Sequence, residues 1–493
     1  MSEFSECLNR IRINKNLYVI DLARLMNMDP STISKWISGE RKPRSRDVLD
    51  KLLGKMKLSD YDRKILIEAY EEELIGKENH MCMKLWNEII HEVMNKKRDF
   101  SYFPIEFEKA IEEPPVTKKY NGKLELLQGI QNIFNYIIYK NIKKIYLRFD
   151  AFNPDVMLLL NLFVSKGYEC EIELVIFPKN FVMEQKLFNL SMIKEIISLW
   201  ANNATVKIYL SEGVDELNRE ENFIIADEFV LQYHQDLSGG FMSSEPSWIN
   251  LWNVNFGNWK NMCRQIFTIT SIGDIFGRYD YFITREHGFE AISYEYMPCL
   301  CPALNEDILR NDLLETIPDR EQMIQNIIDM IIMSDDITNK KVPGCVTNYF
   351  SVKSIYDFME TGMFSLLPSK GFYKPLNEKE RLTILENYLK MISDGKMKPF
   401  IIKDESGLVM KDINIEAVPG KNSYMRILLL DVDETFVSKS LDIRDSYVIE
   451  SFIEYCKYLK ECGYIISGKK TVHIIEDIFK EYKEKYNKKQ NSL

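Results

Sequence analysis

The sequence predicts a multidomain protein with a small all-α N-terminal domain, a helical connector and a large α/β body. Its 493 residues exceed what one ordinary hydrophobic core accommodates. Hydrophobic residues make up 45% of the chain, which is ample for packed interiors. After a proline pair at 114–115, the helical repeat of apolar residues gives way to strands alternating with helices. We place domains at 1–58 (the head), 59–115 (the connector), 116–282 and 283–493 (together the body).

Charge is distributed unevenly along the chain. The net charge is -10, but residues 1–60 carry 12 Lys/Arg against 8 Asp/Glu, so the acidic excess lies in the rest. Residues 35–46, called here the basic stretch, hold five Lys/Arg and one acid, Glu40. A basic head on an acidic chain favours a nucleic-acid partner for the head.

Membrane and secretory classes are not supported by the pattern. The first ten residues are polar, and apolar runs such as 156–164 fall far short of the roughly 20 residues that span a bilayer. Nine cysteines at irregular spacings are typical of reduced thiols. We therefore expect a cytoplasmic protein with no membrane partner.

The head reads as four or five short helices over residues 5–57. Asp29 is a good N-cap and Pro30 suits the first helical position, so a helix is predicted to begin there and to end at Gly39. Its inward face would consist of Ile33, Trp36 and Ile37. An apolar stripe predicts the preceding helix, which is separated from it by a tight turn at 27–28.

This order of helix, sharp turn, helix, Gly stop and basic loop resembles the phage-repressor-like (XRE) helix-turn-helix family over residues 5–58. The residues that carry the resemblance are Leu22-Ala23, Ser31 to Trp36, Gly39 and Arg41-Lys42-Pro43. The resemblance implies a third helix in the DNA major groove, braced by the second. Many members carry Gln at the start of the second helix, where this chain has Val19.

Two groups of DNA-contacting residues follow from the resemblance. The base-facing set would be Ser31, Thr32, Ser34 and Lys35. The phosphate-facing set would be Arg41, Lys42, Arg44 and Arg46.

The connector is predicted to continue as helix up to Glu112-Glu113-Pro114-Pro115, the clearest linker signal in the chain. The acidic run Glu71-Glu72-Glu73 is interpreted as an exposed helix face. Because repressor-type heads bind two half-sites as dimers, these helices are candidates for pairing with a second copy.

In the body, helices and strands alternate. Helices are predicted at 123–141, 155–167, 189–201, 305–333, 378–393, 446–461 and 471–487, and strands at 143–149, 169–177, 205–211, 290–300 and 423–431. Residues 222–234 suggest a hairpin turning at 226–228, 258–276 look helical, and 349–373 read as short helices and turns. The body resembles those of large unassigned helix-turn-helix regulators of Gram-positive anaerobes, a likeness that implies regulation.

The sharpest catalytic motif follows the strand at 425–430, where Asp431-x-Asp433-x-Thr435 matches the nucleophile motif of magnesium-dependent haloacid-dehalogenase-type phosphatases. Fifty-eight residues follow Thr435, too few for the alternating units and further acidic pair of that fold. An edge strand that ends in turn-forming residues is the favoured interpretation.

Three weaker signals also favour structural interpretations. Residues 463–471 nearly match a phosphate-binding loop, but Lys470 replaces the magnesium-binding hydroxyl, so Ser467 or Gly468 is expected to end one element before the last helix. Cys299 and Cys301 lack neighbouring ligands for a metal and are expected to be buried thiols, with a thiol sensor as the alternative. Asp227 follows a strand and is either a ligand contact or a solvated turn residue.

The sequence contains no H-x-K pair, G-x-S-x-G, H-E-x-x-H or G-x-G-x-x-G motif. We therefore predict no enzyme activity, no catalytic residues, no metal and no cofactor. The predicted function is a homodimeric DNA-binding transcriptional regulator with a double-stranded operator and a body that oligomerises or senses a small-molecule or peptide effector. The alternatives are a DNA-tethered magnesium-dependent phosphatase that uses Asp431 and Asp433, and a protein-interaction component of immunity or phage type.

Overall fold

The computed structural model describes most of the chain, with gaps. The described residues are 2–95, 115–149, 153–166, 168–177, 185–197, 199, 205–211, 221–272, 290–315, 319–322, 324–325, 328–329, 345–364, 373–409, 411, 413–420, 423–429 and 438–491.

The N-terminal region consists of helices that pack around a small core of their own. This core includes the fully buried Leu8, Leu22, Ile33 and Leu52, and Trp36 is also buried in it. The helices are α1 (Glu3–Asn14), α2 (Val19–Met26), α3 (Pro30–Ser38), α4 (Arg46–Met56), α5 (Asp60–Ile75) and α6 (Lys77–Asn95).

The body combines one mixed β-sheet with helices, which confirms the predicted α/β class. Its helices are α7 (Lys123–Lys140), α8 (Pro154–Ser165), α9 (Gln185–Ile197), α10 (Pro246–Asn261), α11 (Glu306–Asp312), α12 (Val352–Thr361), α13 (Glu378–Ser393), α14 (Ser446–Glu461) and α15 (Lys469–Gln490). Its strands are β1 (Thr117–Asn121), β2 (Lys144–Phe149), β3 (Glu171–Ile176), β4 (Thr205–Ser211), β5 (Glu221–Ala226), β6 (Phe229–His234), β7 (Gly239–Ser243), β8 (Cys263–Ile272), β9 (Glu290–Glu295), β10 (Cys345–Ser351), β11 (Met397–Ile402), β12 (Ile413–Val418), β13 (Tyr424–Leu429), β14 (Ser438–Ile443) and β15 (Ile465–Ile466).

The strands of the described residues form one sheet in the order β1-β7-β6-β5-β2-β3-β4-β8-β14-β13-β12-β9-β10-β11-β15. Two parallel groups, β2-β3-β4 and β9-β10-β11, are joined by antiparallel strands. At the middle, β8 pairs with both β4 and β14. The sheet is therefore continuous across the boundary that the sequence suggested at 282/283.

The connector is packed into the body. The Trp86 side chain on α6 is fully buried, and its indole N–H donates to Ser451 Oγ on α14 at 3.0 Å. The ring of Trp86 also lies 5.0 Å from that of Phe452, centroid to centroid, in an edge-on contact. The apolar side of α6 is thus used within the chain, so it is not the surface through which a second copy would pair.

Three predicted body segments differ from the structure. The helix expected over 305–333 ends at Asp312, and the next residue, Leu313, forms an isolated β-bridge with Tyr373. Residues 258–276 were expected to be helical, but α10 ends at Asn261 and β8 follows directly. Four of the five residues in the run IFTIT (266–270) of β8 are β-branched, a strand signal that was outweighed by the neighbouring aromatic residues. The segment at 349–373 begins inside β10, which the sequence interpretation missed, before α12 follows.

Candidate nucleic-acid interface

Local backbone chemistry fixes the angle between α2 and α3. Asn27 ends α2 with a left-handed backbone, φ 53°. Asp29 then caps α3, because its Oδ1 accepts a hydrogen bond from the Ser31 N–H at 2.8 Å, and Pro30 occupies the first helical position. Gly39 ends α3 with φ 80°, a conformation that suits glycine. The start and end predicted for this helix are confirmed.

The two sides of α3 have opposite environments. Ile33 and Trp36 are buried against the head core, at 0% and 3% exposure. On the other side Ser31 and Ser34 are exposed, and Thr32 and Lys35 are half-buried. The four residues predicted to face bases therefore lie together on the helix side that does not build the core.

The basic stretch divides into exposed and engaged residues after α3. Arg41 and Arg44 are exposed. Lys42 is half-buried, and its ammonium donates to the Glu73 carbonyl of α5 at 2.8 Å. Within the predicted phosphate-facing set, the two exposed arginines are the ones best placed to meet a polyanion.

Arg46 lies in a different environment, because its side chain is only 12% exposed. Its Nη1 donates to Glu71 Oε1 at 2.8 Å and to the Tyr464 hydroxyl at 3.1 Å, and its Nε lies 2.9 Å from Asp50 Oδ1. The guanidinium carbon also lies 4.8 Å from the Tyr464 ring centroid. Arg46 was predicted to contact phosphate, but the structure directs its guanidinium inward. Arg46, Asp50, Glu71 and Tyr464 are called here the Arg46 network.

Glu71 is the buried carboxylate of this network. Its residue is 4% exposed, which corrects the interpretation of the run at 71–73 as an exposed helix face. Burial raises the pKa of Glu71, while hydrogen bonding by Tyr464 and the charge of Arg46 oppose that shift. The Tyr464 hydroxyl donates to Glu71 Oε1 at 2.5 Å. The Arg46 guanidinium therefore neutralises a carboxylate that burial alone would disfavour.

The Arg46 network joins the head to the body. Tyr464 belongs to the C-terminal part of the body, whereas Arg46 begins α4 of the head. Gly463 packs so closely that a Cβ atom there would lie 2.5 Å from Arg46 Cβ. A further ion pair, between Lys403 and Asp47, spans 3.7 Å nearby. The position of α4 is thus tied to the sheet edge at β11 and β15.

The sequence interpretation missed the roles of Glu71 and Tyr464. A buried acid within an acidic run carries no distinguishing local signal. Tyr464 lies 418 residues from Arg46, so their contact depends on tertiary folding alone.

The catalytic motifs weighed from the sequence do not converge on a site in the described residues. Asp431 and Asp433 lie outside those residues. Gly468 precedes α15, which begins at Lys469, so the structural interpretation of 463–471 is confirmed. Cys299 is half-buried, and its backbone N–H donates to Asn348 Oδ1 at 3.1 Å.

The described part of the chain forms neither a metal-ligand cluster nor a helix that could span a membrane. There, no group of three or more His, Cys, Asp or Glu side chains is arranged to hold a metal ion. None of the described helices combines the length and apolar character needed to cross a bilayer.

The head is therefore a helix-turn-helix module, with a packed inner side and a polar outer side on α3. Residues 8–52 match the family model described as "Helix-turn-helix". This match confirms the XRE-type resemblance of the N-terminal domain, which in this family is a DNA-binding unit.

Comparison with whole proteins adds weak likenesses. None of the curated proteins matches this chain. Among solved structures, the archaeal chromatin protein TrmBL2, whose structure is described as showing a novel mode of DNA binding, is 16% identical, covering 46% of this chain and 73% of that one, with a TM-score of 0.22. Phosphatidylserine synthase of Haemophilus influenzae Rd KW20 is 10% identical, covering 76% and 94%, with a TM-score of 0.21. Polyphosphate kinase of Porphyromonas gingivalis is 10% identical, covering 72% and 54%, with a TM-score of 0.20.

Proposed function

We propose that this chain is a cytoplasmic, sequence-specific transcriptional regulator of the Cro/C1 type. Its head binds the major groove of a double-stranded operator through α3. The observation that carries this proposal is the outer side of α3, where Ser31, Thr32, Ser34 and Lys35 lie together within a matched helix-turn-helix domain. Short hydroxyls and one lysine suit contacts to base edges.

The exposed arginines give this interface its electrostatic component. Arg41 and Arg44 lie shortly after the end of α3 and would neutralise DNA phosphates beside the groove contact. The net charge of the whole chain, -10, repels DNA elsewhere, so binding is confined to the head.

The regulator acts as a homodimer on a palindromic site. Helix-turn-helix dimers place two recognition helices about 34–36 Å apart, one turn of DNA. Because the apolar side of α6 is buried against the body, the dimer contact is assigned to another surface of the chain.

The body senses an effector, and the Arg46 network transmits its state to the head. Support comes from the position of the network, which ties α4 to the C-terminal part of the sheet. A body rearrangement that moved Tyr464 would remove a partner from a buried guanidinium and shift α4 with it.

The proposal assigns no catalytic role to the chain. A magnesium-dependent phosphatase assay on the wild type and Asp431→Asn tests this, and a rate that is above background and lost in the variant would contradict it.

The DNA proposal is tested by fluorescence anisotropy of the full chain on the region upstream of its own gene, against a shuffled duplex of equal composition. We expect tighter binding to the native duplex, a steep loss of affinity with added salt, and two protomers per operator. Equal affinities for both duplexes in dilute buffer would contradict sequence-specific binding.

A further inference from the structure

Helix α10 of the body is packed on one side and exposed on the other. The packed side consists of four large apolar residues, Ile249, Trp252, Phe256 and Trp259. The opposite side exposes five residues, called here the outer stripe: Ser247, Leu251, Val254, Asn258 and Asn261. Because a helix turns once in about 3.6 residues, the two sets lie about half a turn apart around the helix axis.

The outer stripe has the residue spacing of a coiled-coil contact. Its members are separated by four, three, four and three positions, the repeat that keeps one side of a helix against a second helix. Leu251 and Val254, at the centre of the stripe, are aliphatic and yet 47% and 57% exposed. This spacing, with aliphatic side chains at its centre, favours a partner helix as the occupant of the outer stripe.

The outer stripe carries no formal charge. Charged residues make up 28% of the chain, but α10 contains a single one, Lys260, among its 16 residues. Lys260 lies off the stripe, where its ammonium donates to Glu173 Oε1 at 2.8 Å. Depletion of charge distinguishes the buried centre of a protein interface from ordinary surface. Since a net charge of -10 opposes the approach of a second copy elsewhere, a neutral side suits contact between copies.

The outer stripe is complementary to itself in an antiparallel pair. With a twofold axis between positions 251 and 254, each Leu251 meets the partner's Val254, and each Ser247 meets the partner's Asn258. The four aliphatic side chains then form an apolar centre. Hydroxyl and amide groups, which can hydrogen-bond to each other, flank this centre on both sides.

The charges at the two ends of α10 are complementary in the same register. Glu245 is exposed where the helix begins, and Lys260 lies in its last turn. Positions 245 and 260 are equally far from the axis, so an antiparallel pair places each Glu245 beside the partner's Lys260. Contact between two copies therefore brings opposite charges together at both ends of the helix pair.

We propose that α10 is the surface through which two copies of this chain pair, with their outer stripes antiparallel about a twofold axis. The proposal names the contact that the homodimeric regulator requires, and it rests on that proposed function for its regulatory meaning. Because the same surface is used on both copies, the contact closes on itself and yields a dimer.

Sedimentation velocity of the full-length protein, over a dilution series, measures the contact. The wild type is expected to be a dimer. Leu251→Glu puts two like charges beside the axis and should raise the dissociation constant of the dimer by about tenfold or more. Leu158→Glu places the same charge on α8 at a leucine of similar exposure, 41%, and should sediment like the wild type. Circular dichroism checks that each variant is folded.

Three outcomes would overturn the α10 contact. These are a monomeric wild type, an unchanged dissociation constant in Leu251→Glu, and an equal weakening by Leu158→Glu.

A charge exchange tests the register of the pair. Leu251→Lys and Val254→Glu each place two like charges near the axis, so each variant alone should form a weakened dimer. In an equimolar mixture, the lysine of one copy meets the glutamate of the other. The mixed dimer should therefore have a dissociation constant about tenfold or more below that of either variant alone. If mixing restores no association, the antiparallel register is wrong.

Operator binding separates this contact from the proposed function. If the wild type is dimeric and Leu251→Glu monomeric, while neither binds a duplex, the α10 contact stands and the regulator function fails. If the operator is bound, but the wild type and Leu251→Glu are equally dimeric, the regulator stands and the α10 contact fails.

Discussion

The two ends of the basic stretch are chemically alike and structurally opposite. Arg41 and Arg44 are exposed after α3, whereas Arg46 is held by Glu71 and Tyr464 with 12% of its side chain accessible. The comparison teaches that a local excess of positive charge does not by itself define a DNA-binding surface. Part of the charge excess contacts nucleic acid in our proposal, and part fixes the head to the body.

This division makes the two ends separable by mutation. Changes at the outer end, which comprises Lys35, Arg41 and Arg44, should alter DNA binding while the fold is retained. Changes at the inner end, which is Arg46 with its network, should alter stability first, because a buried charge that loses its partner is strongly unfavourable.

The largest effect is expected for Glu71→Ala. The variant leaves the Arg46 guanidinium buried with Asp50, whose side chain is 50% exposed, as its remaining acidic partner. The free energy of unfolding should fall by about 3 kcal/mol, the lower part of the range for breaking a buried pair. Urea denaturation followed by circular dichroism measures it. Glu40→Ala, an exposed acid in the same stretch, should change stability by less than about 0.5 kcal/mol.

If Glu71→Ala lowered the free energy of unfolding as little as Glu40→Ala does, the Arg46 network would be open to solvent. Glu71→Gln keeps an acceptor for Tyr464 and should fall between the wild type and Glu71→Ala.

Sequence patterns predicted the elements whose signals are local. The cap at Asp29, the stop at Gly39 and the whole of α13 and α14 were predicted because capping residues and helical periodicity are written within a few residues. The strand β8 was missed, since its β-branched residues adjoin a tryptophan-rich helix whose helical pattern was extended into them.

The candidate DNA interface, like the fold, was predictable only where its signals lie within a few residues of each other. The sides of α3 follow from helical spacing, so the outward position of Ser31 and Ser34 was available from the sequence. The inward turn of Arg46 was not, because the buried partners Glu71 and Tyr464 lie 25 and 418 residues away. Non-local contacts decide which member of a charge run is buried.

The next effect concerns base reading at the outer end. Lys35→Ala should weaken operator binding by about 1–3 kcal/mol and weaken binding to random DNA less, because in our proposal its long side chain reaches a base edge. Anisotropy titrations on both duplexes measure the difference. Lys64→Ala, on α5 with a side chain 76% exposed, is the matched loss of one lysine and should leave both affinities unchanged. An equal loss on both duplexes would reassign Lys35 to phosphate.

A direct comparison of the two ends comes from salt dependence. Arg41→Ala should weaken all sequences alike and reduce the slope of log affinity against log salt by about one unit, because one phosphate contact is lost. Arg46→Gln, assayed at a temperature where circular dichroism shows it folded, should keep the wild-type slope, since its guanidinium is directed inward. A reduced slope in Arg46→Gln would place both ends of the stretch on DNA.

The smallest effect is a pH dependence at the inner end. His80 is 3% exposed, with its ring nitrogens 3.8 Å from Glu71 Oε2 and 3.6 Å from Glu72 Oε2, and burial lowers its pKa below 6.5. The charge of Lys84 acts in the same direction. As pH falls through 6.5, the unfolded histidine takes up a proton that the folded one resists, so stability decreases.

One such group contributes at most about 1.4 kcal/mol per pH unit. The raised pKa of Glu71 acts with the opposite sign. The folded carboxyl takes up its proton at a higher pH than the unfolded one, so acidification stabilises the folded state through this group. Wild type, His80→Gln and the exposed control His473→Gln are therefore compared by denaturation at pH 7.5 and 6.0. We expect the loss of stability at pH 6.0 to shrink in His80→Gln alone. If all three proteins lose the same free energy of unfolding between pH 7.5 and 6.0, the pH response does not come from His80. Arg46 would then contribute ion pairs to stability without a titrating histidine beside them.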